Sequence, residues 1–132
     1  MFEVGRAIDA GQVRTISDNA LLLRAKALYA QRRARDRTFG EIASYFNEPA
    51  WDIALELFVA EGEGKQVSVS NACIAACVPP TTGLRWIRCL TEAGFVEEQV
   101  DTGDRRRRLL RLAPRSVRMM RAYLTSLDLG SS

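Results

Sequence analysis

Histidine is absent from the 132 residues. That omission removes Ser–His triads, Cys–His nucleophiles, HExxH zinc sites and mixed Cys/His zinc sites together. Lysine is scarce: Lys26 and Lys65 stand against 17 arginines. No window approaches 18 consecutive apolar residues, which excludes a membrane-spanning helix and any membrane partner of that kind. Met1-Phe2-Glu3-Val4-Gly5-Arg6 has an early acid and no apolar stretch of leader type, so a cytoplasmic protein is expected. Cysteine is few and odd in number, at Cys73, Cys77 and Cys89, which points to reduced thiols and not to a disulfide framework. Three thiols without histidine make no metal site, and no cofactor is expected. Internal repeats and low-complexity segments are missing too.

The remaining composition is that of an ordinary globular chain, 47% apolar and 27% charged. Its length predicts a single domain over residues 1–132 that buries about two-thirds of its unfolded surface and needs no staples. The net charge of +3 conceals an asymmetry. Residues 1–37 and 85–121 are basic, at +4 and +5, while residues 38–84 between them carry −5. Clustered arginine is the electrostatic footprint of a polyanion binder, although a charge run is also what a solvated face looks like. Placement decides between them.

Residues 1–17 have no sustained period and read as a flexible arm. A helix follows over 18–37 with Asp18 as cap, an apolar stripe at Leu21, Leu22, Ala25 and Leu28, and arginines at its C-terminal end. Residues 39–46 are aromatic and irregular. Asn47 caps the next helix, which has Pro49 in its first turn and a buried face of Trp51, Leu55, Phe58 and Val59 broadened by Ile53, Ala54 and Leu57. Glu61-Gly62-Glu63-Gly64 ends it. Gly64-Lys65 resembles the close of a phosphate-binding loop, but Val59 stands where the first Gly is needed and Gln66 where Ser/Thr is needed, so the match is rejected.

Val67-Ser68-Val69 is a short strand. Ser68 or Ser70 then caps a compact helix through Cys77, on which Cys73 and Cys77 are neighbours at i, i+4. Pro79-Pro80 breaks it and starts a helix from Thr81 to Ala93, closed by Gly94. Residues 68–94 thus read as helix, tight turn, helix. Two strands follow, Phe95–Val100 and a run beginning at Arg105, joined by the turn cluster Asp101-Thr102-Gly103-Asp104. Pro114 ends the second strand. A last helix, 116–128, places Val117, Met120, Tyr123, Leu124 and Leu127 on one face. The fold class is mainly α with a small β-hairpin wing.

A helix-turn-helix followed at once by a basic-tipped hairpin is a winged helix, and here the sequence resembles the MarR-type transcriptional regulators. The resemblance rests on the stretch from Pro80 through Leu90 with Gly94-Phe95-Val96, and on Asp104-Arg105-Arg106 leading to Leu110-Arg111-Leu112-Ala113-Pro114. It covers residues 48–115 as the winged helix-turn-helix core. The family usually has a larger aliphatic residue at Gly83 and Thr at Ala113. The resemblance implies a homodimer on a pseudo-palindromic double-stranded DNA site, with the terminal helices as dimerisation elements and any effector, of unknown identity, between them and the winged core. It also implies that Asp104 orients the wing by pairing with an arginine and that Arg106 enters the minor groove.

The residues themselves support such an interface. In the helix after the twin prolines, Trp86, Ile87 and Leu90 form the inward set, leaving Thr81, Thr82, Arg85 and Arg88 near the outer face. Arg85 suits a bidentate contact to guanine. Thr81 and Thr82 either touch DNA or cap the helix, and Arg88 either touches DNA or pairs with Glu92. Leu84 packs inward or meets a thymine methyl. Arg105 and Arg107 are expected on one side of the wing strand, with Arg106 and Arg108 on the other, so that one pair tracks phosphates while another residue reaches into the minor groove; Arg105, Arg106 and Arg107 are the wing's DNA-binding candidates. Arg111, Arg115, Arg118 and Arg121 cover helix surface. Cys73, Cys77 and Cys89 are candidate redox residues, with buried packing favoured for the first two.

These features favour a sequence-specific DNA-binding transcriptional regulator. The alternative is a winged-helix protein-interaction module, thiol-responsive, whose basic wing meets an acidic protein partner. No nucleophile, base and oxyanion donors converge anywhere, so an enzyme is not expected.

Overall fold

Five α-helices and three strands make up the computed structural model, which describes residues 17–41, 43 and 48–127. Their order is α1 (Asp18–Phe39), α2 (Pro49–Glu63), β1 (Val67–Ser68), α3 (Val69–Ala75), α4 (Pro80–Glu92), β2 (Val96–Val100), β3 (Arg108–Leu112) and α5 (Pro114–Ser126). The expected arm lies outside the described residues except for Ser17, as do Asn47 and Asp128.

Helix α1 is capped by Ser17 and not by Asp18: the Ser17 Oγ accepts from the Ala20 amide at 3.1 Å, and Asp18 sits in the first turn, where its charge complements the dipole. The helix runs two residues past the expected end, to Phe39. In α2, Pro49 holds the first turn as expected, but the cap position is Glu48, with no side-chain cap bond, and not Asn47. Pro tolerates that place because its missing amide would have been unpaired there anyway.

Helix α2 is the centre of the fold. Ile53, Ala54, Leu55, Leu57, Phe58 and Ala60 are all buried, so it is covered on nearly every side, whereas Trp51 and Val59 are half-buried at its margins. Leu21 and Ala25 of α1, Met120 and Leu124 of α5, Ile87 of α4 and Leu110 and Leu112 of β3 join the same cluster. Each large aliphatic side chain buried this way contributes about 1.5–3 kcal/mol. The apolar stripes of α1 and α5 therefore close the chain's own core. The large apolar side chains these helices leave exposed are Leu23, Phe39, Met119 and Tyr123, with Tyr123 edge-on to Trp51 at 5.6 Å between ring centroids.

The three strands form an antiparallel sheet in the order β1–β3–β2. Val67 pairs with Leu110, and β2 pairs with β3 from Val96↔Leu112 to Val100↔Arg108. Strand β2 begins at Val96 and not Phe95. Strand β3 begins at Arg108, so Arg105, Arg106 and Arg107 belong to the turn and the expected alternation of their side chains does not apply. The backbone dictates this: Asp101 N donates to the Arg107 carbonyl and Arg107 N to the Asp104 carbonyl, both at 2.9 Å, closing a wide loop before the ladder starts. Behind the wing, the Ala113 amide and the buried Ser116 hydroxyl donate to the Phe95 carbonyl at 3.0 and 2.7 Å, which pins α5 to the root of β2.

Candidate nucleic-acid interface

Ser68 caps α3, its Oγ accepting from the Asn71 amide at 3.1 Å. The helix starts at Val69 and ends at Ala75, so Cys77 lies in the turn, with φ 57°, and not on the helix face beside Cys73. Pro80 then opens α4. No side chain caps α4, which removes capping as the role of Thr81 and Thr82 and leaves the first-turn amides without a side-chain acceptor, a setting that favours an anion. At the other end Gly94, at φ 76°, closes the helix.

Gly83 and Ile87 are the buried residues of α4, with Leu90 packed behind them. Trp86 is 39% exposed and so does not join the inward set expected for it. The cause is the α3–α4 crossing. A Cβ on Gly83 would lie 2.7 Å from Cys73 Sγ, so the backbones meet at that point and the buried seam runs through positions 83, 87 and 90. Trp86 falls to its edge.

Thr81, Arg85 and Arg88 are exposed and Thr82 is half-buried. Leu84 is exposed as well, which removes its inward reading. Among the described residues no ion pair joins Arg88 to Glu92. The outer face of α4 is thus uncovered by the rest of the described chain.

Two carboxylates shape the wing. Asp104, as expected, meets an arginine: its Oδ1 accepts from the Arg106 amide at 3.1 Å and faces Arg106 Nε at 3.5 Å. Asp101, which sequence reasoning missed, does more. Its Oδ1 accepts from the Gly103 amide at 2.9 Å and its Oδ2 from Arg107 Nη1 at 3.0 Å. The Asp-Thr-Gly spacing was the available signal, since an Asp side chain commonly bonds the amide two residues on. The Gly103 amide, joined by Arg107, holds the Asp101 carboxyl below the usual carboxylate range. A carboxylate depressed by folding stabilises above its unfolded value, about 3.9, and the contribution is lost as pH falls through the lower folded value. Following the Gly103 amide resonance with pH should give a midpoint below about 3.9. A midpoint at or above that value would mean that this carboxylate does not hold the turn.

Most of the other arginines are engaged inside the protein. Arg32, buried in α1, pairs with Asp52, which is 1% exposed in α2, and Arg33 reaches the same carboxylate at 2.9 Å. Arg24 donates to the Leu124 carbonyl at 2.5 Å. Arg108 faces Glu98 and Arg111 faces Glu97, both at 3.2 Å, and Arg121 meets Asp18 at 2.8 Å. Arg115 donates to the Ala93 carbonyl at 3.2 Å. Of the basic residues described before position 38, all but Arg37 are therefore engaged within the chain. Among the described residues, Arg85, Arg88 and Arg105 have no ion pair or hydrogen bond from their side chains, and Arg106 is 93% exposed despite Asp104. Arg37 and Arg118 are likewise unpaired. A surface groove brings Ser68, Val69 and Ser70 opposite Asp104, Arg106, Arg107 and Arg108, so the wing turn lies beside the start of the helix-turn-helix.

Cys73 is buried, and burial pushes its thiol pKa up. Cys77 is exposed, contrary to expectation, because α3 ends before it; Cys89 is exposed on α4. Among the described residues no group of three or more Cys, Asp or Glu could hold a metal ion, and no helix is long and apolar enough to cross a membrane.

No family model and no curated protein matches the sequence. Solved structures do. AF1382 from Archaeoglobus fulgidus superposes with a TM-score of 0.54 at 16% identity, over 74% of this chain and 98% of that one. S. aureus MepR in its DNA-binding conformation gives 0.53 at 14% identity, over 83% of this chain and 76% of that one. The transcriptional regulator PA4135 gives 0.50 at 16% identity, over 84% and 75%. In one further alignment this chain spans about half, 49%, of its solved counterpart. At 14–16% identity the likeness is one of fold, and the chain has the winged helix-turn-helix fold of the MarR-type regulators whose motifs its sequence resembles.

Proposed function

We propose that the chain is a sequence-specific regulator of transcription that binds double-stranded DNA as a homodimer. Helix α4 lies in the major groove and the wing turn tracks the neighbouring minor groove and backbone. One observation carries this reading: among the described residues Arg85, Arg88, Arg105 and Arg106 stay free or nearly so on α4 and the wing turn, while most other described arginines pair with acids or bond to carbonyls within the chain. Like charges left together at a surface are stabilised by a polyanion, and a duplex supplies one phosphate charge about every 1.7 Å. The solution of S. aureus MepR in a DNA-binding conformation supports it from outside.

Arg85 reads a base, with Thr81 and Thr82 on phosphate or base edges and Arg88 on the backbone. Arg106 enters the minor groove and Arg105 follows the phosphates, whereas Arg107 holds the turn through Asp101. Pairing of two copies on a pseudo-palindromic site draws on Leu23, Met119 and Tyr123, part of the apolar surface that α1 and α5 keep exposed. A second reading, a module for an acidic protein partner, draws on Leu84 and Trp86, exposed apolar side chains beside the same arginines.

Titrating a duplex selected from random DNA, and its single-base variants, tests these roles. Arg85→Ala should cost about 1–3 kcal/mol and relax preference at one base pair, whereas Arg106→Ala should weaken all sequences alike and lower the salt slope by about one. Unchanged affinity in both variants would mean that the contacts are misassigned.

A further inference from the structure

We infer that Arg33 sets the pose of α4 without touching DNA, as a positioning residue that ties the first two helices to the helix-turn-helix; this rests on the DNA-binding reading above. An α-helix leaves its last carbonyls without partners of its own. At the end of α3 the Ala72 and Ile74 carbonyls are taken by the following amides, Ala76 and Cys77, at 3.1 and 3.0 Å. The Ala75 carbonyl is satisfied from outside: the Tyr29 hydroxyl donates to it at 2.6 Å and Arg33 Nη1 at 3.0 Å.

The same Arg33 nitrogen lies 2.7 Å from Cys77 Sγ. Cys77 is the one residue other than glycine with positive φ among those described, a backbone state that persists where its surroundings enforce it. Behind the turn, Arg33 Nη2 donates to Asp52 Oδ2 at 2.9 Å, Nε lies 3.2 Å from the Asp36 carboxylate, and the guanidinium sits 4.8 Å from the centre of the Tyr29 ring. One side chain thus joins α1, α2 and the turn, and α4 departs from that turn at Pro80. A planar fork can hold these partners at once, whereas an ammonium is a single point. Any movement of α1 against α2 is passed through these contacts to the helix that carries Arg85.

Hydrogen exchange and DNA titration of the full-length chain, compared with Arg33→Gln, Arg33→Lys and Tyr29→Phe, test this. Arg33→Gln should speed exchange at the hydrogen-bonded amides of Ala76, Cys77 and Gly83 while amides of α2 and β3 keep their protection, and should weaken DNA binding roughly tenfold at an unchanged salt slope. Arg33→Lys should not restore it. Tyr29→Phe, which removes one hydrogen bond and leaves the ion pairs, should move both readouts the same way by about two- to fivefold. Unchanged exchange at the turn in Arg33→Gln, uniformly faster exchange across the chain in both Arg33→Gln and Tyr29→Phe, or a slope lowered by about one would each overturn the inference. A wild-type chain that binds no duplex would remove the DNA-binding reading alone, since the exchange pattern decides by itself whether Arg33 holds the turn.

Discussion

Asp52→Ala should destabilise the fold by about 3–5 kcal/mol, read as a lowered urea midpoint at unchanged slope. Asp52 is 1% exposed in the central helix and accepts from both Arg32 and Arg33. Arg32 is itself buried, with Glu48 at 3.7 Å as its other acidic neighbour among the described residues. Removing the carboxylate leaves a desolvated guanidinium beside the core, and that uncompensated charge sets the size of the loss; the net worth of the pair against well-packed apolar residues is much smaller. Arg111→Ala provides the contrast. Its bond to Glu97 lies between side chains 57% and 47% exposed, where solvent screens both charges, so a change within about 1 kcal/mol is expected. Equal effects in the two variants would show that burial does not govern these pairs.

Gly83→Ala should cost about 1–3 kcal/mol, even though alanine is the better helix former by about 1 kcal/mol. The new Cβ would meet Cys73 Sγ at 2.7 Å, its Cβ at 3.0 Å and its Cα at 3.3 Å. Rotating the thiol relieves the first contact and leaves the other two, so α4 has to move off α3. Gly83→Val should be worse, and Cys73→Ala combined with Gly83→Ala should recover part of the loss, giving a favourable coupling in a double-mutant cycle of denaturation midpoints. Additive effects, or a gain in stability from Gly83→Ala alone, would contradict the close crossing. The contact also explains the departure from the larger aliphatic residue usual at this position in the resembled family: here Cys73 fills the space from the other helix.

Features that depend on neighbours in the chain were legible in the sequence. Pro80 opens α4, Gly64 and Gly94 close their helices, and Ser68, one of two serines the sequence offers, caps α3, all set by backbone chemistry within a few residues; that Asp104 meets an arginine came from the family resemblance. The cap of α1 slipped by one position, because Ser17 and Asp18 offer similar chemistry side by side; at α2 the helix begins at Pro49, so the cap position falls on Glu48, whose side chain makes no cap bond. Features that depend on partners far along the chain were hidden. Nothing local marks Arg32 as buried, since its partner is 20 residues away and a run of arginines at a helix end already has a sufficient explanation in the dipole. Trp86 reads as core by composition, and only the glycine seam at position 83 shows why it sits at the edge. The arginines of the wing read as strand until the backbone bonds between Asp101, Asp104 and Arg107 close a wider turn. Sequence charge also gave no sign that Arg24, Arg32 and Arg33 are used on Asp52 and on the end of α5.

The direct measurement is the salt dependence of equilibrium binding between the purified chain and a duplex selected from random DNA, followed from about 50 to 200 mM salt. Free guanidiniums on α4 and the wing of two protomers should release enough counterions to give a log–log slope of magnitude about 5 or more. A flat dependence, or a selection that enriches no duplex at all, would contradict the assignment of this surface to DNA.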